Sequence, residues 1–186
     1  MPNIEQMLQT MREQAIPEDT ICQFALPKTK KAKATDVLGF VNQMDALLSK
    51  EQRLAVMEEQ GCCKHSTKAE PFRLFGEKHA DKTLAEKIAL LPELDSCHKA
   101  PCRLNTDGTV SVYWGVAGYY DCPCSLVNKL KTSVIPLTFC GCCAGHARYT
   151  HQFALGVKLQ LKDIVSSMAN SNGEKHCEFL FEIAKE

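Results

Sequence analysis

The chain of 186 residues carries no surplus of charge: lysine plus arginine and aspartate plus glutamate each number 22. That balance argues against nucleic acid or an anionic membrane surface as the principal partner. No apolar run approaches the roughly 18 residues that a membrane-crossing helix needs. The opening Met1-Pro2-Asn3-Ile4-Glu5-Gln6 lacks the basic and apolar regions of an export signal, so a reducing cytoplasm is the expected compartment. Internal repeats and low-complexity segments are absent as well, which excludes solenoid and linker-type architectures.

Cysteine, by contrast, is abundant. Of 11 cysteines, five fall between Cys122 and Cys143, written Cys122-Pro-Cys124 and Cys140-Gly-Cys142-Cys143-Ala-Gly-His146. With an odd count and no export signal, they read as metal-binding or reactive thiols rather than as a disulfide framework. Cys62-Cys63-Lys64-His65 forms a third knot, and Cys97-His98 with Cys102 a looser one. Cys22 stands alone and is expected in the core; His79, His151 and His176 are expected at the surface or as caps.

Periodicity divides the chain into a helical region, 1–95, and a cysteine-rich α+β region, 96–186, which together would suit one compact unit. Ile4, Met7, Leu8 and Met11 follow helical spacing up to Pro17. Val37, Phe40, Val41, Met44, Leu47 and Leu48 form a second stripe, with Thr35 or Asp36 as N-cap. Ser49 and Gln52 make a capping box for a third helix ending near Gly61. Helices are also expected around Phe72 and Phe75 and from Thr83 to Leu91, before Pro92. The lysine-rich stretch between Lys28 and Lys33 reads as a solvated connecting loop.

After residue 95 the period becomes that of strands. Asp107-Gly108 marks a turn into a strand from Thr109 to Val116. Pro136 to Phe139 is expected as a short strand entering the second knot, followed by a helix from Ala144 to Leu155 that Gly156 ends. Val157 to Ser167, a turn at Asn172-Gly173, and the alternation of Cys177, Phe179 and Phe181 complete a terminal β-hairpin. The expected fold is α+β: a helical segment packed on a mainly antiparallel sheet.

The chemistry follows from the knots. Cys140, Cys142 and Cys143 open a helix, whose free amides and dipole favour a thiolate. His146 stands one turn beyond Cys142, so the two make a candidate nucleophile and base. Gly141 and Gly145 would let a ligand approach the backbone. Cys122, Cys124, Cys140, Cys142, Cys143 and Cys177 are the candidate metal ligands; zinc is the default for sulfur-rich coordination, and an iron–sulfur cluster the alternative.

The run from Tyr119 through Cys124, then Phe139 to Tyr149, Leu155-Gly156 and Cys177-Glu178-Phe179, resembles an uncharacterised bacterial family of cysteine-rich cytosolic proteins. That family is similar to L-2-amino-thiazoline-4-carboxylic acid hydrolase-like proteins and to vinyl-four-reductase small-molecule-binding domains. The resemblance covers about residues 110–184 and departs from the family at Asp163, Ser166-Ser167 and His146. It implies a small-molecule ligand. From the residues themselves, Tyr113, Trp114, Tyr119 and Tyr120 are candidates either to line a pocket or to pack a sheet face. The first expectation is thus a metal-binding protein with a small-molecule cleft. A hydrolase acting on a small cyclic C–N substrate and a thiol redox protein are the alternatives, and a homodimer stays open.

Overall fold

The computed structural model describes residues 3–27, 32–61, 67–94, 101–115, 122, 124–130 and 135–184. The expectations for Lys28 to Lys31, Cys62, Cys63, His65, Cys97, His98, Tyr119 and Tyr120 lie outside the described residues. Helix α1 spans Ile4–Glu13, and the Asn3 side chain caps it by accepting the Glu5 N–H at 2.9 Å. Ala15, at φ 55°, turns the chain toward Pro17 and the short α2, Glu18–Ile21. Helix α3 spans Ala34–Leu47 and α4 Lys50–Glu58. The capping box of α4 forms as its sequence requires: the Ser49 N–H donates to Gln52 Oε1 and the Gln52 N–H to Ser49 Oγ. Helices α5, Glu70–Lys78, and α6, Leu84–Leu90, follow.

The strands β1, Cys102–Leu104, β2, Val110–Trp114, β3, Leu159–Ser166, and β4, Cys177–Ile183, form one antiparallel sheet in the order β1-β2-β4-β3. The β1–β2 turn is fixed by Asp107, whose Oδ1 accepts both the N–H and the hydroxyl of Thr109, and by Gly108 at φ 82°. The β3–β4 hairpin turns through Asn172 and Gly173, both at positive φ. Central β4 contributes Phe179 and Phe181, fully buried and registered against Val112 and Val110 of β2. Along β3 the register shifts between Leu161 and Asp163. This irregularity resets the alternation, so that Leu161 and Ile164, three residues apart, both face the core.

Helix α7, Gly141–Leu155, ends at Gly156 in the left-handed region, φ 69°. It packs against α4, α5 and α6 and against β3. Its crossing with α4 is unusually close, because Gly141 and Gly145 stand four apart on one face. A Cβ on Gly145 would lie 1.9 Å from the carbonyl oxygen of Glu58, and one on Gly141 2.4 Å from Met57 Cβ. These glycines, expected beside a ligand, therefore admit α4 instead.

Four local expectations are corrected. Pro136 to Phe139 is no strand: a 3₁₀ turn, Leu137–Cys140, runs directly into α7. Pro136 supplies a φ of −64°, its carbonyl accepts the Phe139 N–H, and Thr138 is anchored by Asp45 and Arg53. Helix α3 begins with Lys33 as N-cap, and Asp36 acts from the third position by accepting the Lys33 N–H at 2.7 Å. Cys22, expected in the core, is exposed, because the short α2 turns only Ile21 inward. His151, expected at the surface, is buried at 1 % exposure, with Nδ1 2.9 Å from the Ala147 carbonyl oxygen.

Candidate functional site

Three separate stretches bring cysteines together. Cys122 and Cys124 lie in the connection after β2, where Gly115, at φ 75°, closes on the Met168 side chain; a Cβ there would meet Met168 Sδ at 2.3 Å. Cys140, Cys142 and Cys143 sit where the 3₁₀ turn becomes α7. Cys177 opens β4, and its Sγ accepts the Met168 N–H at 3.5 Å. Cys122, Cys140, Cys142 and Cys177 are buried, and Cys124 and Cys143 half-buried.

The sulfurs act on one another. Cys124 accepts hydrogen bonds from Cys142 and Cys143, with the backbone N–H groups of Val127 and Leu126 adding to them. These donors hold its thiol below the ordinary cysteine range. Its neighbours move the other way. Cys142 and Cys143 are pushed up, first by their bonds to Cys124 and then by burial. Burial pushes Cys140 up to about 12, against a hydrogen bond with Ser167. Cys177 is raised by burial, and Cys122 adds to the effect.

Cys124 thus joins Cys142, the expected candidate, as a sulfur of interest. Cys142 was the candidate because it opens a helix. The 3₁₀ turn continues backwards from α7, and Cys142 donates a hydrogen bond to Cys124, which raises its own thiol. The signal that would have found Cys124 is the turn after it: the amides two and three residues on fold back to its sulfur, as they do around bound anions.

His146 lies half-buried, its ring edge-on to Trp114 at 5.2 Å. Its Nδ1 is buried without a hydrogen-bond partner. Burial, with Lys68 and His151 adding to it, pushes its pKa down to about 4, so the ring is neutral at pH 7. Trp114 also packs edge-on against Phe179 at 5.5 Å. Tyr113 instead donates its hydroxyl to Glu178 at 3.2 Å, under the Arg103 guanidinium.

A buried ion pair, unsuspected from the sequence, braces this region. Glu58 Oε1 is 2.9 Å from Arg148 Nη1, and Arg148 Nη2 reaches Glu59 Oε1 at 2.6 Å. Glu58 Oε2 also accepts the Leu161 N–H at 3.1 Å, which occupies a backbone donor on the open edge of β3.

Among the described residues, no three histidine, cysteine, aspartate or glutamate side chains are posed around a common ion position. The sulfurs meet as hydrogen-bonded thiols, and a metal would displace those protons. Among the described residues, no helix is long and apolar enough to cross a membrane.

No family model matches the chain, and no curated protein matches it. Two solved structures of an H-NOX protein from S. oneidensis are distantly similar. One, in the Fe(II)NO ligation state, shares 11% identity at a TM-score of 0.34, over 96% of this chain and 89% of that one. The other, a triple mutant in the Fe(II) ligation state, shares 11% identity at a TM-score of 0.33, over 97% and 87%. Similarity at this level carries neither a fold relationship nor a ligand to this chain.

Proposed function

We propose that the cysteine cluster is a soft-metal site and that the protein acts as a metal-binding protein, with zinc as its default occupant. The observation that carries this reading is the convergence of Cys122, Cys124, Cys140, Cys142, Cys143 and Cys177. They come from three stretches of chain: Cys124, Cys142 and Cys143 are hydrogen-bonded to one another, and Cys122, Cys140 and Cys177 act on the cluster electrostatically. Hydrogen-bonded thiols around one thiolate are a proton-loaded form of a thiolate ligand set. A metal ion replaces the protons and ties the 122–124 connection and β4 to the start of α7. An iron–sulfur cluster would use the same donors.

Metal analysis of protein purified under reducing conditions without added metal tests the reading. Stoichiometric zinc in a colourless protein supports it, and brown protein with iron supports the cluster alternative. Protein that contains no metal and takes up none refutes both.

Cys124 favours one further reading, thiol chemistry. A thiolate there would attack an electrophilic carbon of a small-molecule substrate and expel its leaving group, which takes up a proton from solvent. Rapid modification of a single cysteine at neutral pH, lost in Cys124→Ser and unaffected by zinc, would favour that reading over the metal.

A further inference from the structure

We propose that Asp45, Arg53 and Thr138 form a latch on the turn that enters α7, and that this latch sets how readily reagents reach the thiols of Cys140 and Cys142. Access of this kind matters whether the cluster takes a metal or acts through a thiol.

The turn has little of its own to hold it. The 3₁₀ segment Leu137–Cys140 and helix α7 follow one another with no side-chain cap at either start. Residues distant in the chain supply the fastening. Thr138 donates its hydroxyl to Asp45 Oδ1 at 2.5 Å and accepts Arg53 Nε at 3.2 Å. Arg53 Nε also lies 3.0 Å from Asp45 Oδ1. Arg53 Nη1 donates to the Leu48 carbonyl oxygen at 3.2 Å, which ties the guanidinium to the corner between α3 and α4. At the other end of the segment, Asn170 Nδ2 donates to the Ile135 carbonyl oxygen at 2.8 Å.

Burial separates the latch from what it guards. Thr138, Cys140 and Cys142 are 5 %, 6 % and 7 % exposed, whereas the Arg53 and Asp45 side chains keep 24 % and 31 %. Solvent thus reaches the fastening and not the thiols. Thr138 stands two residues before Cys140 and four before Cys142. Between the two cysteines, Gly141 lies so close to α4 that a Cβ on it would be 2.4 Å from Met57 Cβ. Such close packing has no slack. A turn released at Thr138 therefore lifts from α4 with both cysteines, while Asn170 still holds Ile135. Losing a hydrogen bond to a charged group shifts an equilibrium by a factor of about ten to a hundred, so the lifted form should become commoner by that factor.

The test is alkylation of reduced, metal-free full-length protein by iodoacetamide under native conditions, with each cysteine followed by peptide mass. In Thr138→Val, which keeps the shape of the side chain, Cys140 and Cys142 should react faster than in the parent by about tenfold or more. The exposed Cys22 should keep its rate. Thr138→Ser, which keeps the hydroxyl, should stay near the parent, and Asp45→Asn should follow Thr138→Val. Met11→Ala, in the core of α1, is the control for general loss of stability. Unchanged rates at Cys140 and Cys142 in Thr138→Val overturn the latch. So do rates no higher than in Met11→Ala at urea concentrations that equalise the stability of the two. Neither result bears on the metal reading, which zinc uptake decides.

Discussion

Gly145→Ala tests the packing that sets the site. A Cβ at this position would stand 1.9 Å from the Glu58 carbonyl oxygen, 2.7 Å from its carbonyl carbon and 3.0 Å from its Cα. All three atoms are backbone, so no side chain can rotate away. Helix α4 or α7 must retreat by roughly an ångström or more in an interior packed like a molecular crystal. Overpacking of this kind costs about 1–3 kcal/mol, occasionally more. The expected loss lies at the upper end, because moving Glu58 also disturbs its bonds to Arg148 and Leu161. The gain in helix propensity, about 1 kcal/mol, offsets part of it. The net expectation is a destabilisation of about 2 kcal/mol, or a Tm lower by roughly 4–8 °C for a chain of this size. Gly39→Ala is the control: it lies inside α3, and a Cβ there meets nothing within 4 Å. It should stabilise by about 0.4–1 kcal/mol. Urea unfolding of the two variants beside the parent decides the matter. A Gly145→Ala protein as stable as the parent, or shifts of the same sign in both variants, would refute the close crossing.

His146 gives a pH dependence. Its pKa falls from 6.5 to about 4 on folding, so the unfolded chain takes up the proton first. Stability is full above pH 6.5, declines as the pH falls toward 4 and then levels; with the ring partly exposed, the contribution is discounted to about 1–2 kcal/mol. Urea midpoints at pH 7 and pH 5 should lie closer together in His146→Gln than in the parent, and an unchanged gap would contradict the burial of the ring. Glu58→Ala leaves Arg148 buried beside a lost partner and should cost about 3–5 kcal/mol, whereas Lys50→Ala, which removes an exposed pair with Asp163, should change stability by less than about 1 kcal/mol. Equal effects of the two, read by chemical denaturation, would show that burial does not set the worth of these pairs. Cys142→Ser should lower metal content and melting temperature together; a variant that keeps both would remove Cys142 from the ligand set.

Elements whose pattern repeats over several residues were legible in the sequence. The alternation of Cys177, Phe179 and Phe181 names both the strand and its buried face, and Ser49 with Gln52 names the start of α4. Short segments decided by tertiary contact were not. Pro136 to Phe139 has strand-like composition, yet Thr138 is held by Asp45 and Arg53 from more than 80 residues away in the chain. Gly141 and Gly145 were visible as a pair, and their spacing of four residues is a signal for close helix packing that also fits a ligand-side reading. That the cysteines come in knots was legible from their clustering. Which of them gathers donors was not, because that depends on the amides of Leu126 and Val127 and on thiols 18 and 19 residues further on.

The central claim is that the six sulfurs bind metal as one set. X-ray absorption of protein purified without added metal, with metal quantified per chain, tests it most directly. The account predicts bound metal in an all-sulfur shell at about 2.3 Å, the distance of a zinc–thiolate bond, lost in Cys124→Ser. A shell of nitrogen and oxygen, or a folded protein that neither contains nor takes up metal while all its thiols titrate freely, would contradict it.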